Sequence, residues 1–323
     1  MSDNVLLITA KTTGPRLDLM GPVARDARVV VGNKLADFGD AVADGTVLFN
    51  WSGGRELVRE VFLAAPKLAW VHSRFAGLDG ILFPELVESA IPLTNGSGVF
   101  SPSLAEFSLL AMLYFAKDVP RLRRQQMAGV WGPFDMLPIE GKTVGIVGYG
   151  DIGREVALRT KAMGMRVLAL KRHAPAAGSD LGPADEFYET GRLLEMVAGC
   201  DYVVVAAPLT AETKHMVGAE VFAAMKREAV LINVGRGPVV DEAALISALR
   251  DGSIKGAGLD VFEEEPLPGE SPLYGMENVL LSPHCADHHA DWLDDAVRFF
   301  AAQYGRFVAG EDLLNVVDKK LGY

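Results

Sequence analysis

Read from its N-terminal side, the chain alternates short apolar runs with stretches where apolar residues recur every three or four positions. Val5 to Ala10, Ala27 to Gly32, Thr46 to Trp51 and Lys67 to His72 have the length and apolar content of strands. Between the last two lies Arg55 to Ala65, in which Leu57, Val58, Val61, Phe62 and Ala65 share one helical face. Strands and helices alternating at this spacing predict a parallel sheet, and so a first, small α/β unit. It continues through the loop Ser73 to Gly80 and the strand-like Ile91 to Gly96. Ser103-Leu104-Ala105-Glu106 has the form of a capping box, and Phe107, Leu110, Ala111 and Tyr114 carry a helix onward from it. The segment Lys117 to Pro138, rich in Arg, Gln and Trp, reads as the end of that helix followed by a linker.

A second series begins with the apolar run Lys142 to Val147. Further strands are predicted at Arg166 to Leu170, Tyr202 to Ala206, Val230 to Val234, Ala257 to Val261 and Val279 to Ser282. Most are preceded by a helical pattern; the one from Asp241 to Arg250 opens on an Asp N-cap and is followed by Gly252. The first run breaks into Gly148, Gly150 and Gly153, which stand as G-x-G-x-x-G where a strand turns into a helix. The first glycine permits the tight turn, the second lets backbone approach a pyrophosphate, and the third lets the helix pack on the strand. The helix N-terminus supplies free N–H groups and positive dipole to the phosphates. Glycines also mark ordinary turns, so the pattern gains its meaning from the strand before it and the helix after it. This part of the chain reads as a doubly wound sheet with a nucleotide fingerprint on its first strand. The amphipathic stretch Trp292 to Phe307, with Val297, Phe300 and Tyr304 at helical spacing, is too short for a third domain. It packs either on the nucleotide-binding part or back on the first unit.

The length of 323 residues suits two domains with separate cores. A formal net charge of −11 argues against nucleic acid as a partner. It also means that an anionic substrate must be drawn in by local arginines and oriented N–H groups. Cys200 and Cys285 are too few for a disulfide framework and lack metal-ligand spacing, so both read as reduced thiols. Met1-Ser2-Asp3-Asn4 leads directly into a strand without a signal-like segment, and no apolar run reaches spanning length. The expectation is a cytoplasmic protein with no membrane partner. Asp287, His288, His289 and Asp291 cluster at a helix start, where solvated capping rather than metal coordination is expected.

Taken together, the mid-chain fingerprint, Asn233-Val234-Gly235-Arg236-Gly237, Leu259-Asp260-Val261-Phe262-Glu263-Glu264-Glu265-Pro266 and Ser282-Pro283-His284 follow one another in a familiar order. The chain resembles the D-isomer-specific 2-hydroxyacid dehydrogenases, from the Ala76-Gly77-Leu78-Asp79 loop to the terminal Leu314-Asn315-Val316-Val317-Asp318. The resemblance implies a Rossmann-type doubly wound parallel sheet, residues 101–285, inserted in a smaller flavodoxin-like α/β substrate domain formed by residues 1–100 and 286–323. It also implies a homodimer built through the nucleotide domain and the helix near Ser103 to Lys117. The L-specific lactate and malate enzymes carry their fingerprint at the N-terminus, and this chain does not.

Arg236 follows a predicted strand, at the edge where ligands of open α/β sheets bind. Its planar guanidinium can grip a 2-oxo carboxylate with two prongs and polarise the adjacent carbonyl, although loops at sheet edges also carry ordinary surface arginines. By the resemblance, His284 is the acid that protonates the carbonyl oxygen, a task suited to imidazole. His288 and His289, its neighbours, read as structural or surface residues. The run Glu263-Glu264-Glu265 could be a solvated acidic loop. The family's glutamate directly precedes the proline, so Glu265 is the expected partner that tunes His284 and fixes its orientation. Formate dehydrogenases have glutamine at that position, which argues against formate as substrate. Asp260 resembles the aspartate that accepts a hydrogen bond from the nicotinamide carboxamide; a carboxylate capping a turn is the plainer reading. The backbone N–H groups of Ala76 and Gly77 resemble the second clamp on the substrate carboxylate, with Arg74 and Phe75 lining the pocket. The cofactor contacts implied are Gly148, Gly150, Asp151, Ile152, Gly153, Lys171, Arg172, Pro208, Leu209, Thr213, Val234 and Asp260.

NAD-specific sheets place an acid about twenty residues beyond the fingerprint, on the ribose hydroxyls. Here the second strand ends Leu170-Lys171-Arg172-His173, and cations suited to a 2′-phosphate stand in its place. The expectation is NADP(H) as preferred cofactor with NAD(H) possible; the plainer reading makes Lys171 and Arg172 solvated loop cations. The function expected is reduction of a small 2-oxo acid, glyoxylate or hydroxypyruvate first, to the D-2-hydroxy acid. The alternative is a dinucleotide-sensing binding protein, like the corepressors built on this fold.

Overall fold

A computed structural model describes residues 4–11, 14–21, 23–173 and 182–323; the reading of Met1-Ser2-Asp3 lies outside them. The chain forms two compact units, Met1–Phe100 with His289–Tyr323, and Ser101–His288.

In the first unit, five parallel strands, β1 (Asn4–Thr9), β2 (Ala27–Gly32), β3 (Val47–Asn50), β4 (Trp70–Ser73) and β5 (Leu93–Thr94), lie in the order β2-β1-β3-β4-β5. This is the flavodoxin-like strand order. Because side chains alternate across a pleated strand, the apolar runs feed two cores. Leu7, Leu48 and Val71 join Val58 and Val61 of the helix Arg55–Ala64 on one face. Leu6, Ile8, Val47, Phe49 and Trp70 join Val297, Phe300 and Tyr304 of the helix Trp292–Ala309 on the other. Phe300 stacks on Phe49 with ring centroids 4.1 Å apart and on Trp70 at 5.4 Å. The C-terminal amphipathic stretch therefore completes the first unit, which resolves the choice its sequence left open.

The second unit has seven parallel strands, β6 (Thr143–Val147), β7 (Arg166–Lys171), β8 (Glu186–Glu189), β9 (Tyr202–Val205), β10 (Val230–Asn233), β11 (Gly256–Leu259) and β12 (Val279–Leu281). They run in the order β12-β11-β10-β9-β6-β7-β8. Val147, Leu168, Leu170, Val203, Val205 and Leu231 pack on one face, and Val144, Ile146, Val167, Val204 and Ile232 on the other. A strand buried on both faces shows no polar alternation, which is why these segments read as continuous apolar runs. The chain moves from β6 outward through β7 and β8, then returns to β9 on β6's other side. The carboxyl ends of β6 and β9 thus flank a topological switch point, where such sheets bind ligands.

Two expectations need correction. The helix after the first unit spans Ser101–Ala116, so Ser103 lies inside it and makes no capping box. The Ser103 hydroxyl instead donates to the carbonyl of Ala286 at 2.6 Å, and Glu106 lies 3.7 Å from Arg159. The segment Lys117 to Pro138 is not only helix end and linker, since Val119–Ala128 is a helix of its own. Asp118 caps it by accepting from the N–H of Arg121 at 3.3 Å. It buries no residue, so no apolar stripe betrayed it. Among the described residues, no helix is long and apolar enough to cross a membrane.

Candidate active site

The glycine turn that follows β6 has the shape its spacing implied. Gly148 adopts φ 97°, and a Cβ there would lie 2.6 Å from the backbone nitrogen of Ala207; only glycine meets both demands. A Cβ on Gly153 would collide with the carbonyl oxygen of Gly148, so the third glycine lets the helix Asp151–Ala162 seat against its strand. Gly150, the N-cap of that helix, has no heavy atom within 4 Å of where its Cβ would be. The space it leaves, with the helix's first N–H groups opening onto it, fits a pyrophosphate. Asp151 is exposed in the first turn, whereas Ile152 is half-buried and packs against the core.

Lys171 ends β7, exposed, and Arg172 follows it with its Nη2 2.7 Å from Oε2 of Glu212. Glu212 belongs to the loop after β9, whose conformation is set by hydroxyls: Thr213 Oγ1 donates to the Pro208 carbonyl at 2.6 Å and accepts from the Thr210 N–H at 2.8 Å. Val234 is buried, its N–H bonded to the Val205 carbonyl at 3.0 Å.

Past β10 the chain makes a braced turn. The Asn233 side chain accepts from the N–H of Gly235 and donates to the carbonyl of Arg236, both at 3.1 Å. Arg236 is half-buried, with Nη1 donating to the Gly235 carbonyl at 2.8 Å. Past β11, Asp260 is almost wholly buried. Its Oδ1 accepts from the Ser282 hydroxyl at 2.6 Å and from the N–H groups of Cys285 and Ala286 at 3.0 Å each. The Asp260 carbonyl accepts from the N–H of His284 at 2.9 Å. These bonds hold the loop after β12 so that His284 sits at φ 50°, a left-handed conformation that a non-glycine residue adopts only when its surroundings impose it. The plainer expectation for Asp260, a carboxylate capping a turn, is therefore part of what it does.

His284 Nδ1 lies 2.6 Å from Oε2 of Glu265, whose other oxygen accepts from the Phe262 N–H at 3.0 Å. Of the three consecutive glutamates, Glu265 is the one at the imidazole. Glu263 turns elsewhere, to His215 at 2.7 Å and to the N–H of Glu242 at 3.2 Å. Because every strand of this sheet is parallel, the glycine turn, Arg172, the Pro208 loop, Arg236, Asp260 and His284 all leave the same carboxyl edge. Sequence reasoning missed Asn233 and Ser282 as braces and Glu212 as the partner of Arg172. Asn233 and Ser282 stood in the quoted motifs, but nothing in the sequence paired Glu212 with an arginine 40 residues away.

In the first unit, Ala76 and Gly77 follow β4, and the Ala76 carbonyl accepts from Asn95 Nδ2 at 2.7 Å. The guanidinium of Arg74, two residues earlier, lies over the rings of Phe75, Trp51 and Trp292 at 4.3, 4.6 and 5.1 Å. Buried His72 is held neutral, its pKa lowered to about 3 by burial. In the second unit, burial pushes the Cys200 thiol up to about 12, leaving it inert as a nucleophile. Among the described residues, no group of three or more His, Cys, Asp or Glu side chains is placed to hold a metal ion.

A glycine turn at a helix N-terminus, a carboxylate-backed imidazole and an arginine on one parallel sheet edge are the parts expected of a nucleotide-dependent oxidoreductase. Residues 109–286 match the family model described as D-isomer specific 2-hydroxyacid dehydrogenase, NAD binding domain. A glyoxylate reductase of Korarchaeum cryptofilum is 39% identical over 271 residues, covering 81% of this chain and 80% of its own. A D-isomer specific 2-hydroxyacid dehydrogenase from Xanthobacter autotrophicus Py2, solved with NADPH and MES, superposes with a TM-score of 0.85 at 32% identity over 99% of both chains. An NADPH-dependent glyoxylate/hydroxypyruvate reductase from Sinorhizobium meliloti, solved with NADP and sulfate, gives 0.82 at 25% identity, covering 99% of this chain and 100% of its own. The chain belongs to the D-isomer-specific 2-hydroxyacid dehydrogenase family. It is an NAD(P)-dependent oxidoreductase that reduces 2-oxo acids.

Proposed function

We propose that this enzyme reduces a small 2-oxo acid, glyoxylate or hydroxypyruvate in kind, to the D-2-hydroxy acid, with NADPH preferred and NADH accepted. The observation that carries the reading is the 2.6 Å bond between His284 Nδ1 and Glu265, on the sheet edge that also carries Arg236 and the glycine turn. The bound dinucleotide supplies a hydride to C2. With Nδ1 engaged by Glu265, Nε2 of His284 is the nitrogen that delivers a proton to the carbonyl oxygen, and Glu265 balances the ring charge between turnovers. Arg236 holds the substrate carboxylate and polarises the carbonyl beside it. The Oδ2 of Asp260, its Oδ1 being engaged three times over, is assigned to the nicotinamide carboxamide.

For the cofactor, Gly148, Gly150, Asp151, Ile152 and Gly153 would hold the pyrophosphate, Pro208, Thr213 and Val234 would border it, and Lys171 and Arg172 would meet the 2′-phosphate. That relatives so alike were solved with NADPH or NADP supports the preference. Nothing favours the dinucleotide-sensing alternative. The assembly proposed is a homodimer built through the nucleotide domain and the helix near Ser103 to Lys117, beside which Met127, Val130 and Trp131 are 82, 55 and 96% exposed; a monomer mass by light scattering would refute it. Two unpaired cysteines are compatible with the reducing cytoplasm proposed as its setting.

The test is turnover on glyoxylate, hydroxypyruvate, pyruvate and phenylpyruvate with each reduced cofactor. The highest kcat/KM is expected for glyoxylate and hydroxypyruvate with NADPH. Equal or better use of NADH would overturn the preference, and no turnover on any acid would overturn the reading as a whole.

A further inference from the structure

The position just past β7 decides which dinucleotide a sheet of this kind accepts, because the adenosine ribose lies there. In this chain the position is occupied by Lys171-Arg172-His173, and the expected acid is absent from the strand. The structure brings an acid to the same place by another route. Glu212 arrives from the loop after β9, on the far side of β6, and its Oε2 takes Arg172 Nη2 at 2.7 Å. The loop does not owe its form to that ion pair, since the hydroxyls of Thr210 and Thr213 already bond it to itself and to the Pro208 carbonyl. Glu212 is thus presented to Arg172 by a turn that persists without it.

We propose that Glu212 is a selectivity residue, which competes with the 2′-phosphate of NADP(H) for Arg172 and keeps NAD(H) within reach of the enzyme. The inference rests on the NADPH reading above. A 2′-phosphate carries nearly two negative charges and three acceptor oxygens, so it is attracted by Arg172 and Lys171 and repelled by the Glu212 carboxylate. A 2′-hydroxyl can donate to that same carboxylate, as it does to the acid that NAD-specific sheets carry on the strand. One side chain therefore penalises one cofactor and welcomes the other. The Arg172 side chain is 28% exposed and that of Glu212 71%, so water screens the competition without abolishing it. The chain's net charge of −11 leaves such local pairs to decide the outcome, since the far field repels both dinucleotides.

The test is calorimetric titration of the whole protein with NADP+, NAD+, 2′,5′-ADP and 5′-AMP, without turnover. Glu212→Gln should tighten NADP+ and 2′,5′-ADP by about two- to fivefold, the range an ion pair of this exposure supports. NAD+ and 5′-AMP should hold their affinity or weaken. Arg172→Ala should loosen NADP+ by about tenfold or more, and in that background Glu212→Gln should tighten it by less than it does in the wild type, since only the direct repulsion is left to relieve. If Arg172→Ala loosens NADP+ while Glu212→Gln leaves the NADP+ to NAD+ affinity ratio unchanged, the inference fails and the NADPH reading stands. If Arg172→Ala does not affect NADP+, the reading of the cations fails and takes the inference with it.

Discussion

At the carboxyl edge of the five-stranded sheet, Thr9, Asn50, His72 and Thr94 are buried and paired among themselves. Thr9 Oγ1 donates to Asn50 Oδ1 at 3.0 Å, and Thr94 Oγ1 meets His72 Nδ1 at 2.7 Å and Trp70 Nε1 at 2.9 Å. At the same edge of the seven-stranded sheet, His284 and Glu265 keep side chains 44% and 34% exposed. Both sheets collect polar groups where parallel strands end, but they use them differently. The buried set is committed to pairs inside the fold, although Asn50 Nδ2 finds no partner among the described residues. The half-open set has one ring nitrogen committed and one left over, which is what proton transfer to a ligand requires. What separates the two histidines is access: each has Nδ1 bonded, but His72 is buried and held neutral, whereas His284 stays open to a ligand.

Three experiments probe that contrast. The largest effect is expected from His284→Ala, which should lower kcat by about 10²- to 10⁴-fold while NADP+ affinity measured by calorimetry stays within about twofold. Near-normal turnover would show that the open edge is not the chemical one. Asp260→Ala comes next, because it strips one acceptor from three donors, the Ser282 hydroxyl and the N–H groups of Cys285 and Ala286. Denaturant unfolding should register a loss of about 3 kcal/mol, and kcat should drop as His284 leaves its left-handed pose. A variant with wild-type stability and kcat would show that the loop after β12 holds itself. The smallest effect concerns His72. Its folded-state pKa lies far below the unfolded value, so the folded protein is the one that refuses the proton. That contribution is complete above about pH 6.5 and is lost as pH falls toward about 3, at roughly 1.4 kcal/mol per unit. Between about pH 6.5 and 5, wild type should lose roughly 2 kcal/mol more than His72→Phe; equal pH slopes for the two proteins would mean that His72 titrates normally.

Much of this architecture was legible in the residues. The core strands announced themselves because a strand covered on both faces must be apolar along its length, as Val144 to Val147 and Tyr202 to Val205 are. The glycine turn was equally plain, since Gly148 and Gly153 are fixed by collisions that any other residue would suffer. What stayed hidden had a physical reason in each case. Strand β8, Glu186-Phe187-Tyr188-Glu189, is a sheet edge with glutamates at both ends, so it lacks the apolar continuity of its neighbours. The helix Val119–Ala128 packs nothing into a core, and periodicity reports only what a core selects. Ser103 matched a capping pattern that the helix had already passed, because Ser101 and Pro102 start it two residues earlier. At the site, motif order pointed to His284 and Glu265. The grip of Asp260 on the loop after β12 and the approach of Glu212 to Arg172 depend instead on distances between separate strands' loops, which no linear pattern records.

The return of Trp292–Ala309 to the Phe49 and Trp70 face has a bearing on how the protein is made. A ribosome emits the five N-terminal strands long before the helix that covers one side of them. At about 5–20 residues per second, the intervening stretch of about two hundred residues takes on the order of 10–40 s to synthesise. During that interval the nascent sheet shows Phe49 and Trp70 uncovered, while the middle of the chain has everything its own sheet needs. Order of emergence and order of completion are therefore reversed, and a nascent chain stalled before Trp292 would be the species that chaperones meet.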